Sequence, residues 1–525
     1  MYLSDFDLQQ LEARNLAKLP VAEKNRLLEK MLRDLIEARE RLAANSSTSS
    51  RPPSSDPPWS GPRSEAKPED TDTEEAKAEA GETPSDETEL AALPPDPVVM
   101  VAGPDDKLGS TKAKKPGRQP GTPGHSRLLT LAVTGTILHA PTHCAVCDRP
   151  LGDEAFMART GLYVLELVAE DGSGLRGLKV RHDKHLYGES RCTCGHVTRT
   201  EPGRCPHEPM WKVGLSEWSL VGPQLVSLIV CLSLRMRLSR RNIQEFLHDW
   251  LEVLLSTSTI NRCLHEAGRA VEPLEERLVD EVRQASLAYA DETSWKEWGK
   301  LLWLWVISTS TVSLYLIGYR SAELITNALG ENFAGWLMTD GYQVYRQFHQ
   351  RLRCWAHLLR KAKGLKESLT GEARRFGEAS HALLAELMDA VYQAREGPPS
   401  SLAERYRARL EDFRVLCEQH RDSRHEKTRA LACEFLNDWE AVWIALAHPY
   451  LPLTNNEAER ALRHWVILRR ITQGTRTEQG SRALALLISV IETCRKRNQL
   501  PWPYLAQVIA ERRKGNPAPP ILAAT

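Results

Sequence analysis

The stretch Leu287-Ala-Tyr-Ala-Asp-Glu-Thr-Ser-Trp295 constrains this chain more than any other. Its first residues are small, apolar or aromatic, as in a buried strand, and it then presents two adjacent carboxylates, Asp291 and Glu292. Side chains alternate faces along a strand, so Asp291 shares a face with Tyr289 and Thr293 while Glu292 points the other way. An acid on a buried strand is costly unless a cation meets it. A second apolar run, Ala334-Gly-Trp-Leu-Met-Thr339, ends at Asp340 before a glycine turn. Further on, Pro452-Leu-Thr-Asn-Asn-Glu-Ala-Glu-Arg-Ala-Leu-Arg463 opens a helix with Asn455 or Asn456 as its N-cap. Two acids on strand ends and one on a helix suit a pair of divalent ions that clamp the oxygens of a phosphodiester. Magnesium favours such a site, a few carboxylates completed by substrate phosphates. The plain alternative is a set of carboxylates that simply face solvent.

Four motifs in this order carry a resemblance: Ala290-Asp-Glu-Thr293, Thr339-Asp-Gly-Tyr342, Cys354-Trp-Ala-His357 and Asn455-Asn-Glu-Ala-Glu-Arg-Ala-Leu-Arg463. Together they are similar to the DDE insertion-sequence transposases of the IS66 (TnpC-type) family, over a span from the N-terminal helix to about Leu505. The resemblance implies an RNase H-like α/β catalytic core in which Asp291, Asp340 and Glu459 are the catalytic acids and hold Mg²⁺ or Mn²⁺. Helical periodicity alone does not choose between Glu457 and Glu459. They lie about 200° apart around a helix and flank the apolar stripe of Ala458, Ala461, Leu462 and Trp465. It is the family register that places the acid at Glu459. Arg463, one turn on, is a candidate phosphate contact, and Cys354 and His357 are expected to order the active site.

Composition frames these motifs. The chain has 525 residues, enough for several domains, with 42% hydrophobic residues to build cores. Lysine plus arginine equals aspartate plus glutamate at 69 each, so net charge alone says nothing about nucleic acid; its uneven distribution does. Eleven cysteines at mostly irregular spacing, without a signal peptide, suggest a reducing cytoplasm rather than a disulfide framework. The uncharged run Leu301–Tyr319 is long enough for a membrane span, but its centre, Ser308-Thr-Ser-Thr-Val-Ser313, is polar, so two strands of a hairpin are expected.

Taken in order, residues 1–45 read as a helix. Val21, Leu28, Leu35 and Leu42 recur every seven residues, Leu32 adds to the seam, and Asn25 and Arg39 interrupt it. The choice is between an ordinary amphipathic helix and a coiled coil joining copies of the chain, and the family resemblance favours self-association. Residues 46–130 are too rich in Ser, Pro, Asp and Glu to fold alone and read as a disordered linker. It ends in a basic segment whose Lys114, Lys115 and Arg118 could neutralise phosphates or enter a minor groove. Residues 131–215 hold Cys144 and Cys147 and, after a strand-prone stretch, Cys192 and Cys194, a ligand set for a structural zinc. The one-residue spacing of the second pair is tight, which leaves His143 or His196 as alternative ligands.

Residues 216–283 have helical periodicity. Ser239–Trp250 and Ser258–Ala267, joined by a Ser/Thr-rich turn, suit either a helix-turn-helix or a plain helical hairpin. Arg240 and Arg241, with Arg235 and Arg237 just before them, are candidate DNA contacts. The core is expected over 284–364, with strand Arg351–His357, and resumes at 449–505 after a helical insertion at 365–448; 506–525 is a tail. The fold class expected is therefore a multidomain α+β chain. Its parts are an N-terminal helix and disordered linker, a small zinc-binding module, a helix-turn-helix-like domain, and an RNase H-like core with a helical insertion.

The expected function is metal-dependent cleavage of insertion-sequence ends and strand transfer into target DNA. The partners would be DNA, further copies of the chain and, as the resemblance implies, small companion proteins of the element, with no membrane. The rivals are a nuclease without strand transfer and a transposase-derived DNA-binding repressor.

Overall fold

The computed structural model of the protein describes residues 20–43, 48, 133–153, 156–170, 176–200, 218–397 and 401–522. The first turns of the expected N-terminal helix, most of the linker and the basic residues Lys114, Lys115 and Arg118 lie outside the described residues. Among the described residues no helix is long and apolar enough to cross a membrane. The strands are β1 (Gly135–His139), β2 (Phe156–Glu170), β3 (Arg176–Arg191), β4 (Val197–Arg199), β5 (Trp218–Val221), β6 (Leu287–Glu297), β7 (Lys300–Ser308), β8 (Ser313–Gly318), β9 (Trp336–Thr339) and β10 (Arg351–Arg353). Helix α1 (Val21–Ala43) comes first. It is followed by α2 (Pro223–Leu234), α3 (Arg240–Leu251), α4 (Thr257–Val271), α5 (Glu275–Arg283) and α6 (Ala322–Leu329). Then come α7 (Trp355–Lys366), α8 (Gly371–Glu396), α9 (Leu402–Arg405), α10 (Arg407–Gln419), α11 (Glu426–Asn437) and α12 (Trp439–Trp443). Helices α13 (Asn456–Thr472), α14 (Glu478–Lys496) and α15 (Pro501–Arg513) close the chain.

The strands form two mixed sheets. The first has the order β1-β3-β2-β5 with β4 on β3, built on the long antiparallel pair β2–β3. The second has the order β10-β9-β6-β7-β8. In it β6, β7 and β8 are consecutive antiparallel neighbours, the hairpin expected at 301–319, while β9 runs parallel to β6 and β10 parallel to β9. Edge strand β8 presents unpaired amides, which α14 covers: Ser313 and Tyr315 donate to the hydroxyls of Thr493 and Ser489 at 3.1 and 2.8 Å.

Helices α2 to α5 are not set apart from this sheet. Ile243, Leu247, Ile260, Leu264, Ala267 and Val271 join one hydrophobic core with Trp305, Leu314, Leu487 and Leu505. Gly268 of α4 lies against Ala483 of α14 so closely that a side chain there has no room. The insertion has its own core around Trp355, Phe376, Phe413, Phe435 and Trp443.

An ionic cluster fastens the insertion to β10. Asp438 accepts from Arg346 at 3.0 Å and Arg351 at 2.9 Å and forms an ion pair with Arg353 at 3.2 Å, while Glu434 meets Arg353 and Lys361. The side chains of Arg353 and Asp438 are wholly buried, so each depends on the other for its charge to be tolerated. Helix α1 reaches the same insertion through Glu40, which meets Ser368, His425 at 3.3 Å and Lys427 at 3.9 Å.

Candidate active site and metal centre

Sequence alternation on β6 puts Ala288 and Ala290 in the core and turns Tyr289 and Asp291 to the opposite face. Asp291 is not at a strand end as expected: β6 continues to Glu297, held by its antiparallel pairing with β7. What ends near Asp291 is the parallel neighbour, since β9 pairs with β6 only from Leu287 to Tyr289. Asp340 follows β9 directly, and its carboxylate accepts from the Tyr342 amide at 3.1 Å. Gly341 has φ +115°, and a β-carbon there would collide with the Arg353 guanidinium, so the turn needs both the conformational freedom and the space that glycine provides.

The third acid arrives with α13. Asn455 precedes this helix but does not cap it with its side chain. Its side-chain amide donates instead to the Ala290 carbonyl at 3.0 Å, and its backbone amide donates to the Cys354 sulfur at 3.2 Å. One residue thereby ties the helix start to the strand beside Asp291 and to the end of β10. The strand expected at Arg351–His357 stops at Arg353, and Cys354 is the N-cap residue before α7.

The two glutamates of α13 diverge. Glu457 pairs with Lys496 at 2.6 Å and approaches Ser308. Glu459 faces Arg360 at 3.4 Å and His357 Nδ1 at 3.6 Å. Removal from water, and then the negative charges of Asp340, Glu292 and Glu459, push the Asp291 carboxyl well above the ordinary carboxylate range. Asp340 and Glu459 thus both stand within electrostatic reach of Asp291, and no ion pair to Asp291 or Asp340 is found among the described residues. Burial, then the charge of neighbouring Arg360, pushes the His357 imidazole down to about 3, so the ring is neutral at physiological pH.

Sequence reasoning missed the partners of Glu292. This side chain is only 1% exposed and meets Arg320 at 2.6 Å and the Tyr345 hydroxyl at 2.8 Å. Arg320 stacks on Trp303 and Tyr342, 4.3 and 3.8 Å from their ring centres. The cation that a buried strand acid requires is therefore supplied to Glu292 and not to Asp291. The alternation of faces was the available signal; the partner, 28 residues away, was not.

On loops beside the first sheet, Cys144, Cys147, Cys192 and Cys194 bring their sulfurs within 4.8 Å of one another. Cys144 and Cys194 are 3.6 Å apart, as are Cys147 and Cys192. Each cysteine pair sits on a tight loop closed by backbone bonds, Asp148 N to Cys144 O at 3.0 Å and Gly195 N to Cys192 O at 2.9 Å. Asp148 and Gly195 have φ of 53° and 88°, which turns each loop sharply enough to aim two sulfurs at one point. His143 bonds Thr142 and stands outside the cluster, as does His196. Four sulfurs in such a group are the donor set of a tetrahedral soft-metal site.

The arginines proposed to meet DNA differ in availability. Arg235 pairs with Glu492 at 2.9 Å, Arg237 donates to His464 at 3.1 Å, and Arg240 is half-buried and donates to Ser233 at 3.3 Å. Arg241 and Arg463 are exposed. On α4, Thr257, Ser258, Asn261 and Arg262 face solvent beside the buried Ile260, Cys263 and Leu264.

A family model described as the transposase IS66 family matches residues 218–483, slightly more than half of the chain and the part that contains all three acids. An uncharacterised protein of Sinorhizobium fredii, y4qI, is 25% identical over 309 residues, 53% of this chain and 57% of that protein. A second from the same organism, y4jO, is 26% identical over 152 residues, 29% of this chain and 46% of that protein. The chain spans about half the length of these curated relatives.

Proposed function

The chain belongs to the IS66 transposase family, and from that premise we propose that it is a DDE transposase, cutting the ends of an insertion sequence and joining them to target DNA. The observation that carries this reading is that Asp340 and Glu459, from a strand-end turn and a helix, both act electrostatically on the buried strand acid Asp291. An RNase H-like core is supported by three antiparallel strands followed by two parallel ones, in the order β8-β7-β6-β9-β10. The site fits Mg²⁺ or Mn²⁺, because its donors are hard oxygens and their mutual repulsion makes a divalent cation welcome.

Asp291 and Asp340 hold one side of the site, and the Asn455 tie sets the distance at which Glu459 closes it. Arg360, beside Glu459 and partly exposed, is placed to meet a phosphate of the bound strand. Asp291, Asp340 and Glu459 would hold the cation, which would supply charge stabilisation and activate water. Hydrolysis breaks the P–O3′ bond, leaving a 3′-hydroxyl and a 5′-phosphate. That 3′-hydroxyl then attacks a phosphorus of the target, whose own 3′-oxygen leaves, without a covalent protein–DNA intermediate.

The cysteine cluster takes structural zinc, since four protein sulfurs fill a tetrahedron and leave no position for water. Element DNA is met by the basic segment with Lys114, Lys115 and Arg118, by the exposed face of α4, and by Arg241 and Arg463. Arg240 belongs to this set only if it releases Ser233. The exposed Val21, Leu28, Leu32 and Leu35 of α1 support self-association.

The test uses a labelled element end with Mg²⁺. Asp291→Asn and Asp340→Asn are expected to bind that end as the native chain does and to leave it uncut. Nicking by either variant rejects the acid concerned. A native chain that cuts but never joins the end to a target plasmid is a nuclease, and one that binds without cutting is a repressor.

A further inference from the structure

Cys354, His357 and Glu459 form a second group of metal-ligating atoms, one sulfur, one nitrogen and one carboxylate oxygen within 4.8 Å of one another. We propose that this group is a binding site for a borderline-soft divalent cation, with zinc as the reference ion, distinct from the hard-cation site and sharing Glu459 with it. Three observations carry the proposal. The first is spacing: ligand atoms around one tetrahedral zinc lie roughly 3.3–3.8 Å apart, given metal–ligand lengths of about 2.0–2.3 Å. His357 Nδ1 and Glu459 Oε1 are 3.6 Å apart.

The second is an unanswered donor position. His357 is 8% exposed, and among the described residues its Nδ1 has no hydrogen-bond partner although Glu459 Oε1 lies 3.6 Å away. A buried imidazole nitrogen normally finds a partner, and a metal ion is one that uses its lone pair directly. The third is the setting of the sulfur. Cys354 is fully buried, and the backbone amide of Asn455 donates to its sulfur at 3.2 Å, which fixes that sulfur beside His357 and Glu459. Sulfur, imidazole and carboxylate together select zinc-like ions over magnesium, which prefers oxygen ligands.

The site has a consequence for the transposase reading. An ion held here engages an oxygen of Glu459 and competes with Asp291 and Asp340 for that carboxylate, so zinc would act as a brake on magnesium-supported cleavage. The four-cysteine cluster lies on loops beside the other sheet and is not part of this site.

The binding measurement needs no DNA, so its failure leaves the transposase reading standing, and loss of cleavage activity leaves the metal site untouched. Full-length protein is dialysed against micromolar zinc in the presence of excess Mg²⁺, and zinc per chain is measured by elemental analysis. The native chain is expected to hold about one zinc more than His357→Asn or Cys354→Ser, as a single three-ligand site requires. In Glu459→Gln the ion is retained with an apparent Kd raised at least about tenfold, the order of loss for weakened metal ligation. Far-UV circular dichroism checks that each variant is folded; His357→Asn and Glu459→Gln decide the matter if Cys354→Ser is not. Equal zinc content and equal affinity in the native chain and the folded variants overturn the proposal.

Discussion

At the scale of single residues, the divergence of Glu457 and Glu459 has the clearest consequence. Glu459 faces the acids of the sheet, whereas Glu457 is occupied by Lys496 at 2.6 Å. Replacing Glu459 by glutamine removes the charge that a hard cation needs, so Glu459→Gln is expected to lose both cleavage and joining of a labelled end. Glu457→Gln is expected to keep them, at a stability cost of about 1 kcal/mol for a partly exposed pair. Lys496 also donates to Ser308 at 2.9 Å, which limits that cost. Cleavage by both variants, compared at matched Mg²⁺ after binding and folding are checked, decides between the two glutamates. The reverse outcome would move the third ligand to Glu457.

At the scale of elements, the insertion is fastened to the catalytic sheet by charge as well as by packing. Three arginines, Arg346, Arg351 and Arg353, converge on the buried Asp438, and Arg353 in turn lies under the Gly341 turn that follows Asp340. Asp438→Asn leaves buried guanidinium groups without their counter-charge. Breaking a buried pair from one side costs about 3–5 kcal/mol, far more than losing a surface pair. The expected result is a lower Tm together with slower cleavage, because the support beneath the Asp340 turn loosens with the insertion. A variant as stable as the native chain would mean that Glu434 and Lys361 hold this junction unaided.

At the scale of the whole molecule, α1 is joined to the insertion through Glu40. The hydrogen-bonded His425 ring, helped by Ser368 and Lys427 against the cost of burial, holds the Glu40 carboxyl down to about 2. A carboxyl with a depressed folded pKa stabilises fully above its ordinary value, near 4.5 here, and that contribution fades as pH falls towards 2. Docking of α1 should therefore weaken through this acid window, and hydrogen exchange along Val21–Ala43 reads it directly. Glu40→Gln is expected to exchange faster at neutral pH and to show little further change on acidification. Equal protection in both proteins throughout would show that apolar contacts alone hold the helix.

The sequence by itself determined the local devices. Strand alternation selected Asp291, an apolar run with a glycine turn selected Asp340, and two cysteine pairs marked the cluster beside the first sheet. Each of these depends on neighbours a few residues away, where period, turn chemistry and ligand spacing act. The tertiary structure decided what depends on residues far apart in the chain. It separated Glu457 from Glu459 by bringing Lys496 to one of them, gave Glu292 its Arg320, and extended β6 beyond Asp291 through pairing with β7. It also set Cys354 and His357 against Glu459, and Arg353 against Asp438. The physical reason is that a helix or strand repeat presents several faces as equally good, and only the charge, shape and hydrogen-bonding groups of the element packed against it choose among them.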